Sequence, residues 1–354
     1  MTPSLYCNSD CNTTVSDCNT AVSDCNTTVE RPTFLRDISE KDSKWDVHKE
    51  NAMRLADLLE KYYPDEFARQ VERLRATAAL LGFAWEDEPD GRRLRLYTAW
   101  FSKWRHDPVT AWRRALKWRH RWFKAIPFIL DQYPSYIWLS LTLTWRNCDV
   151  SGLKSSIQAA NRAFRKFLKR KEFTNFESMG YCKAVEVTYS KNEVGNAHPH
   201  FHIILMLPSS YCKGGTYITH GRFVEMWRSC MKVDYDPSIT VKRIKPKKGV
   251  EFYGPNNINP AMTSAILEVA KYPVKSADLL QYPEWTREYI QQVHRMRFVE
   301  IGGALKPFFV DEDEQDDLIH IDDDDDSDLE DEAKSNLLYF HYLRRWRAYA
   351  ASKD

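Results

Sequence analysis

Apolar and polar residues alternate without a break over Leu139-Ser140-Leu141-Thr142-Leu143-Thr144. A period of two places one side of a β-strand in a core and leaves the other polar. Tyr136-Ile137-Trp138 leads into this stretch with β-prone residues. Tyr181 to Tyr189 predicts a second strand, with Val185 and Val187 on one side and Glu186 on the other. His198 to Leu207 predicts a third. Helical spacing occurs over residues 45–80, through Met53, Leu55, Leu58, Leu59, Phe67, Val71 and Leu74. Residues 151–171, opened by Ser151, residues 221–232 and residues 261–271 also predict helices. A closing helix is expected over residues 335–349, through Leu337, Leu338, Phe340, Leu343 and Trp346. Strand, helix, strand, strand, helix is the order of an α+β domain with a central antiparallel sheet.

The flanking regions differ in kind. Residues 10–30 repeat with a period of seven, beginning Asp10-Cys11-Asn12-Thr13-Thr14-Val15-Ser16. One Val per repeat makes no coiled-coil seam, so residues 1–35 are expected to be a disordered tail. The spacing of Cys11, Cys18 and Cys25 matches no compact zinc knuckle. Residues 36–130 form an expected helical, basic DNA-binding region, 131–290 a catalytic domain and 291–310 a connector. An acidic disordered run, 311–332, and a C-terminal helix, 333–354, follow.

Hydrophobic residues make up 43% of the 354, a globular composition, yet no apolar stretch approaches the roughly 18 residues of a membrane helix. The start, Met1 to Cys7, lacks the basic and apolar regions of a signal peptide. Of eight cysteines, four lie in the N-terminal tail and four are scattered, which suggests no secreted disulfide framework, so a reducing cytoplasm is expected. The formal charge of +1 conceals an uneven distribution. Residues 311–332 carry 15 Asp or Glu and no base, and without them 51 bases face 35 acids. So basic a body predicts a polyanionic partner, most simply nucleic acid. Eleven of the bases fall in residues 92–124, beside a single acid, Asp107. Trp112 and Trp118 interleave there with Arg113, Arg114, Lys117 and Arg119. Cations for phosphate and rings for base stacking suit single-stranded or distorted DNA. A second basic segment holds Lys242, Arg243 and Lys245.

Two constellations carry chemistry. In His198-Pro199-His200-Phe201-His202 the imidazoles stand at i, i+2 and i+4, one face of a strand, with Phe201 and Ile203 directed into the core. Imidazoles with a carboxylate from Glu186 make a site for a divalent cation. On a helix, Glu268, Tyr272 and Lys275 share one face, a set able to serve phosphoryl chemistry. Pro273 interrupts that helix and biases Tyr272 away from helical backbone.

In order, Leu139 to Asn147, Val185-Glu186-Val187-Thr188, His198 to His202 and Glu268 through Lys275 resemble the successive motifs of rolling-circle plasmid replication initiators. These belong to the HUH endonuclease superfamily, here in its single-tyrosine form, and the resemblance covers roughly residues 90–290. It implies a ferredoxin-like or RRM-like sheet with helices on one face. It also implies that His200 and His202 hold Mg²⁺ or Mn²⁺, with Glu186 or His198 as third ligand. By the same resemblance Tyr272 is the nucleophile, joined to the 5′ end of the nicked strand while a 3′-hydroxyl is freed as primer. Glu268 would activate water at termination, and Lys275 would stabilise phosphate charge. The implied partners are plasmid origin DNA, single-stranded or cruciform, and a host helicase and polymerase in a bacterial cytoplasm. An HUH transposase or relaxase would share this chemistry, and a non-catalytic basic DNA-binding regulator is the rival from another class. The stretch from Phe101 to Arg114 lacks the cysteine cluster that many relatives carry, so no structural zinc is expected there.

Overall fold

A computed structural model describes residues 31–89, 91–176, 178–245, 253–254, 257–258, 260–270, 274, 276–309, 318–319 and 337–352. The heptad-repeat tail and nearly all of the acidic run lie outside the described residues.

The chain opens with helices α1 (Leu35–Ile38), α2 (Ser43–Tyr62) and α3 (Pro64–Ala76). Pro64 suits the first position of α3, where its missing N–H has no partner to lose. Trp45, Ala52, Leu55, Ala56 and Leu59 line the buried side of α2. Lys49 is buried with them and caps the end of α3, donating to the carbonyls of Leu74, Arg75 and Thr77 at 3.2, 2.8 and 2.6 Å. A hairpin follows, β1 (Leu80–Glu88) and β2 (Gly91–Ala99). Gly91, at φ +126°, begins the return strand in a conformation open to glycine. Helix α4 (Pro108–Gln132) then begins at Asp107, whose buried carboxylate accepts from Val109 N at 3.0 Å and Thr110 Oγ1 at 2.8 Å.

The second half is built from β3 (Ile137–Thr144), β4 (Cys148–Asp149), α5 (Leu153–Leu168), α6 (Lys171–Thr174), β5 (Gly180–Tyr189), β6 (Asn196–Leu207), α7 (His220–Met231) and β7 (Ile239–Ile244). Strand pair β8 (Tyr253–Gly254) and β9 (Asn257–Ile258) leads to α8 (Pro260–Val269), α9 (Ser276–Gln281), α10 (Pro283–Gln292) and β10 (Val299–Gly303). The large sheet runs in the order β10-β5-β6-β3-β7, every pairing antiparallel. The path β3-α5-β5-β6-α7-β7 is thus βαββαβ with the two outer strands of the path, β3 and β7, adjacent, the ferredoxin-like arrangement. The expected α+β class, with its antiparallel sheet, is what the chain adopts.

Strand alternation divides the core in two. Leu139, Leu141, Leu143, Val185, Val187, Phe201, Ile203 and Leu205 face α5 and α7, meeting Phe164, Phe167 and Trp227. The opposite face carries Trp138, Ala184, Ile204 and Met206 at one end, covered by Trp122, Ile126 and Ile129 of α4 and by Met262, Ile266 and Val269 of α8.

Two expectations need correction. The N-terminal region is not all helical, because β1 and β2 occupy its middle. The C-terminal segment is not a helix but the strands β11 (Leu338–Leu343) and β12 (Ala348–Ala351). Its spacing of apolar residues also fits a period of two, and Tyr339-Phe340-His341-Tyr342 is rich in β-prone aromatics. Strand β11 pairs with β1 and buries Phe340 against Phe83, completing a second sheet in the order β12-β11-β1-β2. The chain therefore closes on its N-terminal layer rather than forming a separate appendage.

Lys49→Met keeps the packing volume of the stem but strips three carbonyls of their donor. It is expected to cost about 2–4 kcal/mol, read as a lower Tm and an earlier urea midpoint.

Candidate active site

The pairing register builds the site. Glu186 of β5 stands directly opposite His200 of β6, and Thr144 and Thr142 of β3 stand opposite His200 and His202. Residues opposite one another in an antiparallel pair project to the same face. Glu186, His200 and His202 therefore occupy the polar end of the face whose other end is sealed by α4 and α8. Between the histidines, Phe201 points the other way, edge-on to Trp145 with ring centroids 4.8 Å apart. The Lys183 ammonium, buried on that side, lies 4.9 Å from the Phe201 ring and is neutralised by Glu300 Oε2 at 2.7 Å.

Three ligand-type atoms converge. His202 Nε2 lies 2.7 Å from Glu186 Oε2, and His200 Nε2 lies 3.1 Å from His202 Nε2 and 3.4 Å from the same carboxylate oxygen. Neighbouring ligands on an octahedral divalent ion, each about 2.1 Å from it, sit about 3 Å apart. The donor set and its spacing thus fit such a cation. Among the described residues, Glu186, His200 and His202 are the His, Cys, Asp or Glu group assembled in this way. Burial would raise the Glu186 carboxyl, but hydrogen bonds from His200 and His202 prevail and hold it well below the usual carboxylate range. It is therefore an anion at neutral pH, as a metal ligand must be. Thr142 Oγ1 lies 3.5 Å from His202 Nδ1, and the His198 carbonyl lies 3.4 Å from His200 Nδ1, so each ligand ring has a partner behind it.

His198 shares the face but stands apart from the convergence. Its Nδ1 lies 2.7 Å from Asn147 Oδ1. Asn147 in turn donates to Ser190 and Glu193, both at 3.0 Å, tying the start of β6 to the turn after β3. Sequence reasoning did not assign Asn147 or Thr142 a part. Thr142 was legible, since the alternation in β3 already put it on the histidine face.

Helix α8 lies across the same face and brings Glu268 Oε2 to 3.8 Å from His202 Nε2. The helix ends at Val269, two residues short of the expected 271, with Ala270 N still donating to Ile266 O at 2.8 Å. Tyr272 and Lys275 lie outside the described residues. Their neighbours are fixed, for Ala270 and Val274 are both buried.

The expected DNA-binding residues divide. Arg113 is buried rather than exposed, and its guanidinium donates to Leu318 O at 2.8 Å and Ile319 O at 2.9 Å. Trp112 is likewise structural, stacked on His48 at 4.5 Å and edge-on to Trp45 at 4.8 Å. Helical periodicity explains both, because these positions fall on the inner side of α4. Arg119 is exposed beside Phe123, Lys117 is half-buried, and Trp118 is half-buried under Arg121. Arg114 Nη2 donates to Lys103 O at 3.5 Å. Lys242, Arg243 and Lys245 are exposed. Lys242 pairs with Ser140 and so shares the histidine face, whereas Arg243 projects oppositely and donates to Cys212 Sγ at 3.4 Å.

Residues 93–350 match the family model described as replication protein. A protein rep from Bacillus amyloliquefaciens is 31% identical over 289 residues, spanning 78% of this chain and 83% of its own. The chain belongs to the replication-protein family. A protein rep from Streptococcus pneumoniae is 29% identical over 269 residues, 75% of this chain and 78% of its own. A replication protein from Staphylococcus aureus is 32% identical over 216 residues, 58% of this chain and 88% of its own. No solved structure matches significantly. Membership bears out the resemblance to rolling-circle initiators and makes plasmid replication initiation the family's role for this chain. Among the described residues no helix is long and apolar enough to cross a membrane.

Glu186→Gln and His202→Ala are each expected to weaken Mn²⁺ binding at least about tenfold in calorimetric titration. His198→Ala, which removes a ring held by Asn147, is expected to change it less than about threefold.

Proposed function

We propose that this replication initiator nicks one strand of plasmid origin DNA through Tyr272 and later rejoins or terminates by strand transfer. The observation that carries this reading is the placement of Glu268, four residues before Tyr272, 3.8 Å from a ligand-type nitrogen of the Glu186–His200–His202 group. Ala270 and Val274, two residues to either side of Tyr272 in the sequence, are both buried.

Glu186, His200 and His202 would hold Mg²⁺ or Mn²⁺. Such an ion supplies Lewis-acid polarisation of the scissile phosphate. The Tyr272 oxygen attacks phosphorus, the bond from phosphorus to the 3′ oxygen breaks, and the phenolic proton is lost as the 3′-hydroxyl gains one. The products are a 5′-phosphotyrosyl strand and a free 3′-hydroxyl able to prime a host polymerase. Lys275 balances charge on the phosphate. At termination Glu268 takes the proton of a water that attacks phosphorus, while the bond to the 3′ oxygen breaks and that oxygen gains a proton. His198 serves in this scheme as the support of the β6 entrance through Asn147, and Glu186 as the third ligand.

The strand would reach the site in single-stranded or cruciform form, with its backbone open to attack. Lys242, on the histidine face, with Lys245 and Arg243 at the sheet edge, would contact its phosphates. Arg114, Lys117, Arg119 and Trp118 on α4 would hold flanking DNA by phosphate contact and stacking. A host helicase that opens the duplex is the further partner expected of an initiator.

After incubation with single-stranded origin oligonucleotide and Mn²⁺, intact-protein mass spectrometry is expected to show the added mass of the cleaved strand. Tyr272→Phe should lose that adduct completely while its gel-shift affinity stays within about threefold. Persistence of the adduct in the variant would disprove the nucleophile.

A further inference from the structure

Helix α2 and the turn between β11 and β12 enclose a cavity of about 490 Å³ that the nicking scheme does not use. Glu50, Met53, Arg54 and Asp57 of α2 line it, with Arg344 and Arg347 of the turn. The fold alone brings these together, for Asp57 and its ion-pair partner Arg344 are 287 positions apart in the chain. The turn reads Arg344-Arg345-Trp346-Arg347. Trp346 N donates to Leu343 O at 3.0 Å and Arg347 N to Arg344 O at 3.3 Å, which closes it. Arg347 holds φ +48°, a left-handed conformation that glycine or asparagine enters more readily. The chain keeps an arginine there nonetheless.

Three guanidinium groups face two carboxylates in the cavity. Asp57 holds Arg344, with Arg75 Nη2 at 3.6 Å from it. Glu50 holds Arg347 at 3.4 Å and accepts from the Tyr342 hydroxyl at 2.7 Å. Arg54 is exposed and, among the described residues, unpaired. On the same turn Trp346 is 38% exposed, packed against Phe34 with ring centroids 5.7 Å apart. The Arg345 guanidinium lies 5.7 Å from the Trp346 ring centroid. An unpaired guanidinium beside two that carboxylates already orient suits phosphate oxygens, which arginine meets with a planar fork of donors. A part-exposed indole on the same turn suits an unpaired base. An acidic peptide would satisfy the cations but leave the indole without a ring to stack on.

We propose that this surface is a second DNA site, which grips one unpaired strand away from the histidine face. Arg54, Arg344 and Arg347 take its backbone phosphate, and Trp346 stacks on an adjacent base. Such contacts hold and orient a strand without reading its sequence. The proposal rests on the reading of DNA as the partner, and on no step of the nicking chemistry.

Fluorescence anisotropy with an oligothymidylate of about 20 nucleotides tests it, using the full chain in EDTA across a salt series. The double variant Arg54→Gln, Arg347→Gln is expected to bind at least about fivefold more weakly at low salt. Its plot of log affinity against log salt should flatten by about 1.4, the counterions of two single-strand contacts. Trp346→Leu keeps an apolar contact for Phe34 and is expected to lose at least about fivefold with its salt slope unchanged. The double variant Lys61→Gln, Arg69→Gln removes equal charge from exposed positions outside the cavity and should lose less than about twofold. Melting curves confirm that each is folded. Equal weakening in the control would reduce the effect to net charge and overturn the proposal. An unchanged slope in the cavity variant, or unchanged affinity in Trp346→Leu, would overturn it too. Failure of the parent to bind the oligonucleotide would also remove it. EDTA halts metal-dependent cleavage, so none of these outcomes bears on Tyr272, whose adduct is read separately.

Discussion

A slip of one residue in the pairing of β6 would send His200 and His202 into the apolar core and turn Phe201 and Ile203 toward the polar face. The site exists because that slip is prohibitively unfavourable. Phe201 is fully buried among Trp145, Phe164 and Trp227, and Ile203 and Leu205 are buried with it. Each of these apolar side chains favours the observed register by about 1.5–3 kcal/mol of burial. β6 is held on both sides, by β5 and β3, so neither neighbour can shift alone. The same register sets Glu186 opposite His200, and the ligand atoms meet without any contribution from a loop.

The two ends of the histidine face are balanced differently. Toward Ile204 and Met206 it is apolar and roofed by α4 and α8, whereas toward His200 it carries Glu186, Thr142 and Thr144. Helix α8 spans this change. Its inner residues Met262, Ile266 and Val269 belong to the apolar roof, while Glu268 reaches the polar end. Packing of three side chains thereby positions a carboxylate beside the imidazoles. Immediately afterwards Val274 enters the core on the other side of the sheet. Val269 and Val274, five residues apart in the sequence, thus belong to different cores.

The strands that carry the site were legible from sequence because their alternation is strong and their inner residues are large. β3, β5 and β6 fall within one or two residues of their expected bounds. Legibility failed where two periods fit the same residues. Leu337, Leu338, Phe340, Leu343 and Trp346 can be threaded on a helix, and what makes residues 338–343 a strand is a partner nearly 260 residues away, the open edge of β1. Similarly, nothing local says that Arg113 is buried. A charged residue between aromatics resembles a DNA contact until its carbonyl partners, two hundred positions downstream, are known. Asp107, by contrast, stands out in the sequence only as the lone acid among many bases, and its role as cap of α4 follows from Pro108 beside it.

Helix α4 illustrates why such a basic segment can be a stable part of the fold. Its 25 residues turn Trp122, Ile126 and Ile129 onto the sheet, and those contacts fix its axis across the back of the apolar roof. Of its cations, Arg119 lies over Phe123 and Arg121 over Trp118. They concentrate like charge along one element, at a cost that grows with every base added and is relieved by any nearby anion.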